Sequence, residues 1–151
     1  MERHTAQRYL ELSHMMAAHN NPDLAKLFQR MSEIEWLHVY NVSELCREMD
    51  VAEPMPQPGA VGKGEVPDYE DMHYLHRPYH ALMLARGYEV RARDFYGKMA
   101  ADADREDLRL AALKLAAEEE MHIAELDKWL TRYPKPEEGW DEDLDPPVEL
   151  D

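Results

Sequence analysis

Between residues 22 and 49 the apolar positions recur at helical spacing. Leu24, Leu27, Phe28, Met31, Val39, Val42, Leu45, Cys46 and Met49 line one face. Glu35 and His38 fall inside that apolar stripe. Residues 105–132 repeat the anomaly: Leu108, Ala112, Leu115, Ile123, Leu126 and Leu130 form a stripe that Glu119 and His122 interrupt. A buried carboxylate without a partner costs roughly several kcal/mol, so buried charges are paired or bind metals. Two more periodic segments complete the pattern, at 2–19 and 78–101. "HNNPD" breaks the first pair of helices, where Asn and Pro mark a turn and a fresh start. "DADRED" separates the second pair and offers Asp residues as caps.

The periodicity predicts an all-α chain. Two helix hairpins, over residues 1–132, are joined by a long crossover at 50–77 that holds most of the Pro and Gly. A short helical turn is expected near Asp68–Tyr74 within the crossover. Residues 133–151 read as an extended, acidic, Pro-rich tail, anchored by Trp140. Two hairpins with one long crossover describe a ferritin-like four-helix bundle. A metal-free bundle has the same lengths and pattern, so a decision between them needs the chemistry.

Composition narrows the options. The chain has 151 residues, 44% hydrophobic and 32% charged, which suits one soluble globular domain. A net charge of −15 argues against nucleic acid and against an anionic membrane surface as partners, and is compatible with cations as ligands. Cys46 is the single cysteine, so this chain cannot form an internal disulfide, a four-cysteine zinc site or a rubredoxin-type iron centre. No signal peptide or membrane-spanning apolar run is visible, and a cytoplasmic location is expected. The six glycines are not spaced for a phosphate-cradling loop.

Glu-x-x-His puts both side chains on one helix face, but the pattern is common here. Glu11/His14 and Glu70/His73 fit it as well as Glu35/His38 and Glu119/His122. At about 100° per residue, Ala6, Tyr9, Ser13, Met16 and Ala17 share the side of Glu2. Glu11 and His14 fall far around that helix and are read as solvated. On the third helix Leu82, Ala85, Ala92, Tyr96 and Ala100 stand beside Glu89. Each helix thus offers one inward Glu, and two add an inward His. Glu118 and Glu120 flank that face and are read as solvated.

An internal repeat selects the same residues. Glu2 and Tyr9 recur 87 positions later as Glu89 and Tyr96, and Asp23, Leu24, Glu35 and His38 recur 84 positions later as Asp107, Leu108, Glu119 and His122. Four carboxylates (Glu2, Glu35, Glu89, Glu119) and two imidazoles (His38, His122) would surround two divalent ions. Such a donor set suits iron or manganese, and zinc would also bind. Glu35 and Glu119 are expected to bridge, with Glu2 and Glu89 more terminal. Tyr9 and Tyr96 are candidates to hydrogen-bond the ligand carboxylates, core packing being the alternative.

"ERHTAQRY", "EIEWLH", "EVRARDFY" and "EEEMH" together resemble the rubrerythrin-type di-iron domain of the ferritin-like superfamily, over residues 2–132. The resemblance implies two non-haem irons that react with hydrogen peroxide or oxygen, with an electron donor that the sequence does not identify. Three departures stand out. No rubredoxin-like four-cysteine domain is present, which makes the erythrins the closer comparison. Arg86 and Ala92 stand one turn either side of Glu89, where rubrerythrins have a second carboxylate, which argues against redox-linked ligand switching. Glu2 sits on a first turn expected to fray unless more chain or a neighbouring subunit caps it.

The expected function is a di-iron oxidoreductase that reduces peroxide or oxygen. Iron oxidation and storage is the second reading, and a non-catalytic metal-binding or structural bundle the third. A homodimer is expected, with Trp36, Leu37 and Tyr40 as its apolar contact or, alternatively, packed under the crossover or tail. His73, His76 and His80 cluster near the start of the third helix and are read as solvated loop residues rather than a second metal site.

Overall fold

The computed structural model describes residues 1–54 and 77–136. Its elements are α1 (Glu2–Ala18), α2 (Pro22–Met49), α3 (Pro78–Asp102) and α4 (Glu106–Leu130). They match the four segments expected from periodicity to within two residues at each end. The expected turn at Asp68–Tyr74, together with Glu70, His73, His76 and Trp140, lies outside the described residues. His80 is half-buried, with its ring edge-on to Tyr79.

Local chemistry sets the helix ends. Asn20 adopts a left-handed conformation (φ 58°), which stops α1. Asn21 then caps α2: its Oδ1 accepts from Leu24 N at 3.2 Å, and Pro22 follows where a missing N–H does no harm. Asp50, also left-handed, closes α2. None of the Asp residues expected to cap the last helix is its N-cap residue, although Asp107 Oδ1, in the first turn, accepts from Leu108 N at 2.9 Å. Arg105 is the N-cap residue of α4 and makes no side-chain cap; its guanidinium pairs with Asp107 at 2.8 Å and donates to Met49 O at 2.9 Å, tying the end of α2 to the start of α4. Thr131 Oγ1 donates to Lys128 O at 2.6 Å where α4 ends.

The helices form a four-helix bundle of two hairpins, α1 with α2 and α3 with α4, and α1 also meets α3. Ser13 Oγ donates to Ala25 O and Ser32 Oγ to Ala6 O, both at 2.7 Å, which crosslinks α1 and α2 in antiparallel register. Arg30–Glu125 (2.6 Å) at one end and Arg105–Met49 at the other set α2 antiparallel to α4. Ala6, Ala81, Ala85, Ala92, Ala100 and Ala112 are buried, and their small side chains let the helices approach closely.

One apolar cluster fills the end of the bundle near the α1–α2 turn. Tyr9, Leu12, Met16, Leu24, Leu27, Phe28, Met31, Leu82 and Leu126 are its large buried members, with Ala25, Ala81 and Ala85 between them. Burial of each large apolar side chain contributes roughly 1.5–3 kcal/mol. Tyr133 packs against the same cluster and receives Asn21 Nδ2 at 3.3 Å, so the start of the segment read as tail is anchored. Toward the other end the core thins. Val39, Val42, Leu45, Met49, Leu108 and Leu115 are only half-buried, because a groove opens between the second half of α2 and the first half of α4. Ala17, placed on the inner face by the helical wheel, is exposed, while Leu12 is buried. The wheel drifts over seventeen residues, and α1 meets its neighbours along a narrower stripe than its indexing implies. No helix among the described residues is long and apolar enough to cross a membrane.

Candidate metal centre

The two interrupted stripes face one another. Glu35 and His38 on α2 and Glu119 and His122 on α4 project into the bundle, with Glu2 from α1 and Glu89 from α3 beside them. All six residues singled out by face and repeat are brought together. Glu35 and Glu89 are 1% exposed and Glu119 is fully buried, although each is a carboxylate. Their ligand atoms fall into two groups: Glu2, Glu35, His38 and Glu119, and Glu35, Glu89, Glu119 and His122. Within each group the atoms lie no more than 4.8 Å apart. A first-row divalent ion holds oxygen and nitrogen ligands at roughly 2.0–2.2 Å, so ligands on opposite sides of it stand about 4 Å apart. Each group is therefore close to the size of one coordination sphere, and Glu35 and Glu119 are common to both.

The unmet bonding capacity of the cluster also fits a cation. Glu35 Oε1, Glu119 Oε1 and His38 Nδ1 are buried and make no hydrogen bond among the described residues, the last two standing close to one another but out of hydrogen-bond alignment. His38 Nδ1 stands 3.1 Å from Glu119 Oε1, and His122 Nδ1 stands 3.3 Å from both Glu89 Oε2 and Glu119 Oε2. The two imidazoles stack with centroids 5.3 Å apart. Buried polar atoms left without partners are rare and call for a reason. Six donors that converge on two shared centres supply one.

Tyr9 and Tyr96 bond the carboxylates across the hairpins rather than within them. Tyr9 Oη donates to Glu89 and Tyr96 Oη donates to Glu2 at 2.5 Å. Seven residues of helix span about 10 Å, so neither tyrosine reaches the Glu of its own helix. The antiparallel pairing of α1 with α3 brings each one level with the other's carboxylate. Tyr96 therefore holds Glu2, and Thr5 N and Oγ1 tie the first turn to Met1 O at 3.0 and 3.2 Å. In contrast to the fraying expected at this position, Glu2 is buried.

A crystal structure at 2.00 Å of an uncharacterized conserved protein from Magnetospirillum magnetotacticum MS-1 is similar to this one, with 34% sequence identity, a TM-score of 0.74 and 91% of each chain covered. This chain belongs to that protein's family. No protein-family model and no curated protein matches it.

In this family member the carboxylates do not ionise alike. Burial, with the nearby Glu2, Glu89 and Glu119, pushes Glu35 far above the usual carboxylate range. Burial and Glu119 raise Glu89 to about 7, against the opposing pull of His122 and Tyr9. Burial also acts on Glu119, but the imidazoles of His122 and His38 hold it well below the ordinary value. Despite burial, Glu119 and Glu89 raise His122 to about 10. Glu119 and Glu2 raise His38 in the same sense. Without cations, then, protons on Glu35 and His122 offset the crowded negative charge. Tyr9 and Tyr96 are raised by burial and by their carboxylate partners, so their hydroxyls stay protonated and donate.

Two readings outside the six residues are settled by the geometry. Glu11 is exposed and pairs with Arg8 at 2.9 Å, and His14 is exposed, so that Glu-x-x-His pair takes no part. Glu118, expected to be solvated, is half-buried, and its Oε2 lies 3.2 Å from His38 Nε2. Nothing in the spacing of α4 marks it, because its partner is on another helix.

Proposed function

We propose that the chain is a rubrerythrin-type, erythrin-like di-iron oxidoreductase that reduces hydrogen peroxide or oxygen. The observation that carries the reading is the pair of ligand groups that share Glu35 and Glu119 inside the bundle. Two ions held side by side would each supply one electron, which suits the two-electron reduction of a small oxidant. Carboxylate oxygen and imidazole nitrogen suit iron, while manganese or zinc fits the same donors.

When bound, a pair of Fe2+ ions supplies the two electrons that convert peroxide, with two protons, into two waters. The chain's own residues do the rest. Glu2, Glu35, His38 and Glu119 would hold one ion, and Glu35, Glu89, Glu119 and His122 the other. Tyr9 and Tyr96 fix the terminal carboxylates by donating to them, which limits their rotation as charge changes. The apolar cluster beside the centre excludes bulk water from one side. Arg86 pairs with Asp127 at 2.7 Å and Ala92 is a methyl against the core, so no second α3 carboxylate stands ready to replace Glu89.

The assembly we propose is a homodimer. Trp36, Leu37 and Tyr40 are 44%, 61% and 65% exposed on the outer face of α2 and form one apolar stripe that supports it.

The test is metal analysis followed by turnover. The purified protein is expected to carry about two Fe per chain, and Fe2+-loaded protein to consume peroxide faster than free Fe2+. Peroxide consumption no faster than free Fe2+ removes the oxidoreductase reading. Retention of metal by the Glu35→Ala, Glu119→Ala double variant removes the site itself.

A further inference from the structure

His38 presents its two nitrogens to two different carboxylates of α4. Nδ1 faces the buried cluster, 3.1 Å from Glu119 Oε1, and Nε2 stands 3.2 Å from Glu118 Oε2. Glu118 belongs to neither ligand group. Its side chain is 37% exposed, against 8% for His38. It lies on the wall of an open cavity of about 370 Å³ between α2 and α4, with Val42, Leu45, Lys114 and Leu115.

A neutral imidazole carries one N–H and one lone pair. Which nitrogen ligates is set by the hydrogen bond that the other makes. Partners of this kind also fix the ring's orientation, and their loss typically lowers metal affinity about 10–100-fold. Resting on the metal-centre reading, we infer that Glu118 is the positioning residue of His38. It accepts the Nε2 proton, so that the Nδ1 lone pair is aimed at the ion held with Glu2, Glu35 and Glu119.

Among the described residues this device is present on one side only. Glu118 corresponds, 84 positions earlier, to Ile34, which has no acceptor. The carboxylates paired with His122 are Glu35, Glu89 and Glu119, and all of them approach its Nδ1. Among the described residues a pseudo-symmetric pair of ligand groups is thereby made unequal, with a carboxylate outside the two groups on the His38 side and none on the His122 side.

Co2+, whose visible absorption reports its ligands, is the probe. The wild-type chain is expected to bind two equivalents. Glu118→Ala should weaken one equivalent about 10–100-fold and leave the other unchanged. Glu118→Gln should retain most of the lost affinity, because its amide oxygen still accepts the Nε2 proton. In Co2+-loaded protein, one of the two hyperfine-shifted histidine N–H proton signals should exchange with water at least tenfold faster in Glu118→Ala than in wild type. Unchanged binding in Glu118→Ala overturns the proposal. So does equal weakening of both equivalents, which is what loss of a distant charge or of folding would give, or a Gln variant as weak as the Ala variant. Failure of the wild type to bind Co2+ at all overturns the metal-centre reading, and this inference with it.

Discussion

At the residue scale the centre is a set of groups that protons or metal ions must neutralise. Glu89 is raised to about 7 and His122 to about 10. Both are raised above their unfolded values, so each contributes stability that is full below the unfolded pKa and lost as pH rises through the folded one. For Glu89 that loss falls between 4.5 and about 7, and for His122 between 6.5 and about 10. Glu119 has the opposite sign: its contribution is present above 4.5 and lost as pH falls. The metal-free protein should therefore melt at a lower temperature at pH 9 than at about pH 5–6; thermal melts in chelator at the two pH values check this. Metal affinity runs the other way. An ion must displace the protons on Glu89 and His122, so affinity rises with pH and binding releases protons. Calorimetry in two buffers of different ionisation enthalpy measures that release, and equal heats would contradict it. Glu35→Gln removes one of the two carboxylates common to both candidate ligand groups. It should abolish paired metal binding yet stabilise the metal-free protein by about 1 kcal/mol, or a Tm rise of roughly 2–4 °C.

At the scale of elements, α2 and α4 carry the chemistry and α1 and α3 complete it. Their placement rests on caps and small buried residues more than on propensity. Asn21 both caps α2 and meets the Tyr133 hydroxyl beyond α4. Asn21→Ala should lower stability by about 1 kcal/mol while leaving metal stoichiometry unchanged; chemical denaturation and metal analysis together check both halves. The stripes of α2 and α4 were legible because their apolar period is long and unbroken except at the two Glu–His pairs. The start of α4 was legible only in part: Asp107 does accept a first-turn N–H, but Arg105 is the N-cap residue and turns to Asp107 and to the end of α2. Ala17 misled for a related reason: the wheel gives an angle, and only the neighbouring helix decides whether that angle is covered.

At the scale of the whole molecule, the candidate ligands come from all four helices, so bound metal would tie both hairpins to one point. Removal of metal should loosen the bundle as a unit. With free metal at 100 times its dissociation constant, binding stabilises by about 2.7 kcal/mol, so excess chelator should lower Tm by several degrees in one cooperative transition. Two separated transitions would show that the centre does not couple the hairpins. The exposed Trp36, Leu37 and Tyr40 belong to this scale also. Light scattering should give a dimer for the wild type and a monomer for a Leu37→Glu, Tyr40→Glu variant of unchanged helicity.

The sequence by itself determined the helix count, the hairpin order and the six converging side chains. Periodicity and an 84- and 87-residue repeat are local, countable properties of the chain. Tertiary structure decided what depends on the distance between helices. It paired each tyrosine with the other hairpin's carboxylate, because two helical turns separate Tyr from Glu on one helix and the antiparallel crossing of α1 and α3 closes that gap. It seated Glu2 in the first turn. It also moved Glu118 from the solvated face to the Nε2 side of His38, an arrangement that one helix's spacing does not encode, because the contact exists only where α2 and α4 meet.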